Sequence, residues 1–312
     1  MTGETAAIII TSCGKRKSLA PSASLRAAAL RPGDTASVAR QWVEQVAHEK
    51  VRVPARSLYR GRGFREAETA ASPLSAKMYV LSAGMGLIPV DVEIPSYALT
   101  VAEGTDNILS KLRPEKEACP GSWWRELSKV ADSVSFDALI GGGKGPVLLA
   151  AGSAYLAMIG HELEALEPSR RSRIRLFTAA QRQLIPLSLQ PLLMPYDRRL
   201  EALPGRSGTM SDFAQRALRH FAETILAREP LGNANSHSAA VQCALAGAKA
   251  PVRRRGTSMS DDEIVALISA NWNAMGGKSA AMLRLLRDSF RVACEQKRFK
   301  KLFAVARLEL HS

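Results

Sequence analysis

The sequence predicts an α/β fold, with a mostly parallel central sheet flanked by helices and a C-terminal helical segment of helix-turn-helix type. Three observations predict it. Short apolar, β-branched runs end in small-residue turns, and stretches of helical periodicity separate those runs. A helix-capping signature then opens a last, basic segment beyond an interval rich in Gly, Asn and Ser.

Ala6 to Thr11 reads as the first strand and breaks into Ser12-Cys13-Gly14-Lys15. A helix is expected at about Val38–Lys50, with Trp42, Val43 and Val46 on one side. Met78–Ala83 reads as a second strand, ending at Gly84 and Gly86. Val147–Ala151 reads as a third, ending at Gly152-Ser153, and Ile174–Thr178 as a fourth. Helices are expected between them, around Trp123–Asp132 and Tyr155–Leu166. Met210–Arg228 is amphipathic, with Phe213, Leu218, Phe221 and Ile225 at helical spacing. Residues 1–228 are therefore expected to form the α/β domain. Residues 229–259, which include a weak Ala-rich helix at Ala239–Ala250 and the run Arg253-Arg254-Arg255-Gly256, are expected to be a linker or exposed crossing.

Residues 260–312 open on a capping box, Ser260 with Glu263, and Asp261 and Asp262 in the first turn. Ile264, Leu267 and Ile268 give the first helix its apolar side, and Gly276-Gly277 ends it. A second helix from about Ser279 places Met282, Leu285, Leu286 and Phe290 inward and Arg284, Arg287 and Arg291 on one face. Two helices about a glycine turn, the second basic, fit a helix-turn-helix. A plain helical hairpin fits the same pattern.

Charge is the strongest global signal. Forty-three Lys and Arg against 29 Asp and Glu leave a net +14, which favours a polyanion as partner. The basic residues cluster. Residues 50–65 hold Lys50, Arg52, Arg56, Arg60, Arg62 and Arg65 without an acid, and residues 170–182 hold five arginines without one. The four cysteines, Cys13, Cys119, Cys243 and Cys294, have neither metal-ligand spacing nor a disulfide framework, a pattern of reducing compartments. The start MTGETAAIIITS has no basic region, and no run reaches the ~20 apolar residues of a membrane span. A cytoplasmic protein with no membrane association and no obligate protein partner is expected. The five histidines form no ligand pattern, so neither metal nor cofactor is expected.

In an open α/β sheet, ligands bind beyond the carboxyl ends of the strands. The sequence brings four segments there: Cys13–Lys17, Ser82–Glu93, Gly152–Tyr155 and Ala179–Arg182. Cys13 and Gly14 permit close approach of a ligand, and Lys15, Arg16 and Lys17 offer phosphate contacts. Asp91 and Glu93 are carboxylates in an otherwise basic set, candidates for general-base work or for stabilising a developing cation. Gly142-Gly143-Lys144-Gly145 offers a further phosphate contact through Lys144, though it lacks the rest of any nucleotide motif and reads better as a flexible connector.

Three stretches together resemble a bacterial domain family that opens on Ser-Cys-Gly-Lys. They are Ser12-Cys13-Gly14-Lys15-Arg16-Lys17, Ala55-Arg56-Ser57-Leu58-Tyr59-Arg60-Gly61-Arg62-Gly63-Phe64, and Leu81-Ser82-Ala83-Gly84-Met85-Gly86-Leu87-Ile88. The run Ala293-Cys294-Glu295-Gln296-Lys297-Arg298-Phe299 resembles a tail found with it, whereas residues 100–205 match loosely. That family is related to the uracil-DNA glycosylase-like fold, which also occurs in archaeosine synthase. The resemblance implies a DNA glycosylase of the kind that removes glucosylated hydroxymethylcytosine from phage DNA in antiviral defence. This chain departs from the family's Pro-Tyr-Asp, carrying Ser96-Tyr97-Ala98 instead. The water-activating motif of the uracil enzymes and its His-Pro-Ser partner are not recognisable.

On that reading Asp91 or Glu93 stabilises the oxocarbenium-like sugar and directs water, and Tyr59 or Tyr97 stacks on a base drawn out of the helix. The base pocket takes in Cys13, Gly14, Tyr59, Ser82, Gly84, Gly86, Tyr97, Ser153 and Tyr155. Lys15, Arg16, Lys17, Arg60, Arg62, Lys144, Arg284, Arg287 and Arg291 contact DNA. A base-modifying or base-exchange enzyme of the same fold acting on RNA or tRNA, and a non-enzymatic DNA-binding regulator, are the alternatives.

Overall fold

The computed structural model describes residues 6–251 and 257–310. The chain forms two compact units, Met1–Ala250 and Pro251–Ser312.

In the first unit the strands are β1 (Ile8–Ser12), β2 (Arg52–Pro54), β3 (Lys77–Ser82), β4 (Gly86–Pro89), β5 (Glu93–Pro95), β6 (Val147–Ala150) and β7 (Ile174–Phe177). The helices are α1 (Thr35–His48), α2 (Ala55–Leu58), α3 (Arg62–Leu74), α4 (Pro120–Val130), α5 (Phe136–Gly141), α6 (Ser153–Ala165), α7 (Pro168–Arg171), α8 (Phe213–His220) and α9 (Ala234–Leu245). The main sheet runs β4-β3-β1-β6-β7. β3, β1, β6 and β7 are parallel, and β4 folds back antiparallel on β3. The four parallel strands are the four expected, each shifted by at most two residues at an end. β4 and the small β2–β5 ribbon escape the hydrophobic pattern because each has four residues or fewer.

Strands β1, β6 and β7 are buried along nearly their whole length, as befits a parallel sheet covered on both faces. The crossover from β1 to β3 moves one way along the sheet and that from β6 to β7 moves the other. Right-handed connections then put α3 and α6 on opposite faces. The packing agrees: α3 lies against α8, β1 and β3, whereas α6 lies against α4, which also contacts α1. The chain reverses direction between β1 and β6, so the loops leaving these neighbours diverge and open a crevice.

Residues 229–259 are not a single linker, contrary to expectation. α9 begins at Ala234, capped by Asn233 Oδ1, and buries His237, Val241 and Leu245 in the first unit. Glycine and asparagine before it mark a helix start here, not a domain boundary. The arginine run 253–255 with Gly256 lies outside the described residues. The Met210–Arg228 helix is also compound: a 3₁₀ turn at Met210–Asp212, then α8, then a π-helical stretch at Phe221–Leu226.

The second unit has its own core of Ile264, Ile268, Met282, Leu286, Val292, Phe299 and Leu302. Its helices are α10 (Asp261–Ala270), α11 (Ser279–Asp288) and α12 (Gln296–Glu309). The capping box forms as read, with Glu263 N donating to Ser260 Oγ and Ser260 N to Glu263 Oε2. Gly276 and Gly277 both adopt positive φ, the conformation that ends the connection. Two details depart from expectation. Phe290 is 41% exposed, so it is not part of the core. Arg291 lies past the end of α11 with φ 53°, so only Arg284 and Arg287 lie on that helix. The connection from α10 to α11 covers residues 271–278, longer than the three- to four-residue turn of a helix-turn-helix. No helix among the described residues is long and apolar enough to cross a membrane.

Candidate functional site

A cleft of about 840 Å³ opens at the carboxyl ends of β1 and β6, the crevice that the strand order requires. This volume falls within the range of small-ligand pockets. Three backbone segments build it. The first is the loop after β1, Ser12–Lys17, tied down where Cys13 N donates to Leu81 O and Arg60 N to Arg16 O. The second is Gly152–Tyr155, where β6 turns into α6. The third is Tyr97–Asp106, which is folded onto itself by Thr100 N donating to Asp106 O and Ile108 N to Thr100 O. Arg62 and Phe64 of α3 and Gln215 of α8 complete the walls. Gln215 reaches beneath the strand ends, its amide donating to Thr11 Oγ1 at 3.1 Å.

Behind the wall lies a buried phenol network. Tyr59 Oη and Tyr97 Oη are 2.8 Å apart, and Tyr97 Oη is 2.5 Å from Ser82 Oγ. Ser82 Oγ also accepts from the Gly84 and Met85 backbone N–H groups, which fixes the turn after β3. Trp42 Nε1 donates to Gly84 O and Trp123 Nε1 to Ala83 O, so both indoles clamp the same turn. A side chain at Gly84 would bring a Cβ within 2.9 Å of the Tyr97 ring. Burial holds the Tyr59, Tyr97 and Tyr155 hydroxyls well above the ordinary phenol range, so all three remain protonated donors.

Cys13, Gly14, Tyr97, Ser153 and Tyr155 line the cleft, with Tyr155 Oη 3.0 Å from Cys13 Sγ. Tyr59, Ser82, Gly84 and Gly86 stand behind that surface, supporting it without lining it. Tyr97 does not offer a free face either, because Lys17 Nζ sits 4.1 Å from its ring centroid. The expectation that Tyr59 or Tyr97 stacks on a base is therefore corrected. Tyr155 and Phe64 are the rings that reach the cleft besides Tyr97.

Lys15, Arg16, Lys17 and Arg62 line the cleft. Arg60 is exposed and lines a neighbouring depression with Arg16, Lys17 and Arg65. Lys144 precedes β6 and so lies at the opposite end of that strand from the cleft. Arg284, Arg287 and Arg291 belong to the second unit, where Arg287 donates to Cys294 O.

The carboxylates require the largest correction. Asp91 pairs with Arg56 at 2.8 Å, is 74% exposed, and lines a separate depression of about 630 Å³ beside the start of β3. Glu93 is exposed on β5 opposite Pro54. Neither reaches the cleft, because β4 carries the chain back along β3 before the two acids are placed. The carboxylates that line it are Asp106 and Asp212. Asp212 is held by Arg216 Nε at 2.7 Å and by Thr209 N at 2.9 Å, a structural arrangement. Asp106 makes no ion pair within 4.0 Å among the described residues. Sequence reasoning missed it because it sits in a loop of loosely matched sequence. Its one signal is Gly104, whose φ of 140° marks a tight loop.

Lys17 is half-buried, and desolvation lowers its ammonium from the ordinary lysine value; Cys13 and Asp106 oppose this. Among the described residues no cluster of His, Cys, Asp and Glu could hold a metal ion. A scan against protein-family models matches none, and searches of the curated proteins and of solved structures return no significant match.

Proposed function

We propose that the protein is a DNA glycosylase that hydrolyses the N-glycosidic bond of a modified base and leaves an abasic site. The observation that supports this best is Asp106, a carboxylate without an ion-pair partner among the described residues, at a nucleotide-sized cleft that also carries Lys15, Arg16, Lys17, Arg26 and Arg62. The base leaves the stack and enters the cleft beside Tyr155. Lys15, Arg16 and Arg62 hold the flanking phosphates. As the bond breaks, positive charge develops on the sugar, and Asp106 stabilises it and orients water toward the anomeric carbon. The open cleft admits a bulky base, and the family resemblance makes glucosylated hydroxymethylcytosine in phage DNA the first substrate to try.

The test is incubation of the full chain with DNA carrying that base, read by mass spectrometry of the freed base and by alkali cleavage of the strand. Asp106→Asn is expected to lower release by about 10²–10⁴-fold. Asp91→Asn and Glu93→Gln are expected to leave it within twofold. Release that survives Asp106→Asn refutes this mechanism.

A second reading, a DNA-binding regulator, draws on the basic helical unit with its own core. It requires DNA affinity to be lost when residues 257–312 are removed and no base to be freed. Release of a base from bulk tRNA but not from DNA would favour the RNA-modifying reading instead.

A further inference from the structure

We propose that Lys17 is an amine nucleophile that captures the aldehyde of an abasic sugar as an imine and then cleaves the strand by β-elimination. This rests on reading the cleft as the site of base excision. Three features single out Lys17 from the basic residues around it. It lines the cleft, whereas the amine of a typical surface lysine points into bulk water. Its Nζ lies 4.1 Å from the Tyr97 ring centroid and 5.8 Å from that of Tyr59, so aromatic rings hold it in place. No carboxylate pairs with it within 4.0 Å among the described residues.

The backbone holds the group as firmly as the rings do. Lys17 bridges Tyr59 in antiparallel fashion, and Ser18 N donates to Leu58 O directly after it. An ion-paired or fully solvated lysine is protonated near neutral pH and has no lone pair to give. Desolvation shifts Lys17 toward the free amine, the usual way a nucleophilic lysine is prepared. Lys15, two residues earlier, is exposed.

The chemistry balances without a redox partner. The abasic deoxyribose opens to its aldehyde, and the Nζ lone pair attacks C1′. A proton passes from nitrogen to oxygen, the hydroxyl takes up a second proton from solvent, and water leaves to give the protonated imine. Asp106 removes a proton from C2′. A C2′–C3′ double bond forms as the C3′–O bond breaks, and the 3′ phosphate departs with the electron pair. Water then hydrolyses the imine, freeing Lys17 and an unsaturated aldehyde on the upstream fragment.

The test uses the full chain with a duplex carrying one preformed abasic site and sodium cyanoborohydride, which reduces an imine to a stable amine. A covalent protein–DNA adduct that maps to Lys17 is expected, and without the reductant the strand is nicked. Lys17→Arg keeps the charge over the Tyr97 ring and is expected to reduce the adduct on the order of 100-fold while DNA binding persists. Thermal unfolding of the variant checks that it is folded. An adduct on another residue, an undiminished adduct in Lys17→Arg, or no adduct at all overturns the proposal. Because the abasic site is preformed, the outcome does not depend on base release. Freed base without an adduct sinks only the imine, and an adduct without freed base sinks only the glycosylase reading.

Discussion

Replacing Tyr97 with Phe removes one oxygen atom from the middle of a buried chain of hydroxyls. Ser82 Oγ already accepts two backbone N–H groups, from Gly84 at 3.1 Å and Met85 at 2.9 Å. Its own hydrogen is therefore directed at Tyr97 Oη, 2.5 Å away. Tyr59 Oη, 2.8 Å from the same atom, is buried too. The phenylalanine ring keeps the edge contact with Trp42 and the cation face toward Lys17. The cost is then that of two buried hydroxyls stripped of a partner. At about 1–3 kcal/mol for each unsatisfied group, less partial relaxation, the loss comes to about 2–4 kcal/mol. Tyr59→Phe removes a single bond, leaves the Ser82–Tyr97 pair intact, and is expected to cost about 1 kcal/mol. In the double variant Tyr59 no longer has a hydroxyl to strand. Its cost should fall short of the sum of the two single losses by about 1 kcal/mol. Urea unfolding followed by tryptophan fluorescence measures this, since Trp42 and Trp123 both grip the turn beside Ser82. A Tyr97→Phe loss below about 0.5 kcal/mol, or strict additivity in the cycle, would refute the network as described.

Three other perturbations test the frame around the cleft. Gly86 has φ 77° and a Cβ there would collide with the Ser133 side chain, so Gly86→Ala combines strain with overpacking and is expected to cost about 2–4 kcal/mol in urea unfolding. Arg216 is fully buried, with Nε on Asp212 and the other nitrogens on Arg206 O and Thr209 O. Asp212→Ala leaves that guanidinium uncompensated and is expected to cost about 3–5 kcal/mol, whereas the paired change to Asp212→Ala with Arg216→Met should recover much of it. Burial, reinforced by Arg206, lowers His220 from 6.5 to about 4. At neutral pH the ring is uncharged in the folded and unfolded chain alike. Between about 6.5 and 4 the unfolded chain takes up a proton that the folded one refuses, so stability falls as pH falls through this window. Discounted for solvent screening at the ring edge, the loss should be on the order of 1–2 kcal/mol. Urea midpoints measured across this range should show the slope in the native chain and a flatter one in His220→Gln.

Local sequence carried the parts of the fold that depend on near neighbours. Each parallel strand is a compact apolar run closed by a small residue, and burial on both faces demands such a run. Ser260 and Glu263 announce their helix start because the two groups that cap it are three residues apart. The Cys13–Lys17 and Gly152–Tyr155 loops were legible as site segments because they follow strands, and parallel strands deliver their carboxyl ends to one edge. Asp91 and Glu93 read as site residues for the same reason, and Lys144 because it sits in a glycine-rich run. Their exclusion is a long-range matter: β4 reverses the chain along β3, and Lys144 enters β6 at its far end. Arg291 read as helical because spacing alone does not show where α11 stops.

What tertiary structure alone decided is the pairing of groups distant in sequence. Tyr59, Ser82 and Tyr97 share hydrogen bonds through contacts made only when the β1–β3 layer and the Tyr97 segment pack together. Asp106 gains its place from a loop folded on Thr100, and Gln215 from a helix more than two hundred residues after Thr11. Lys17 looks in sequence like its neighbours Lys15 and Arg16. Only the aromatic rings above which it lies, and the water they exclude, make it a different chemical group.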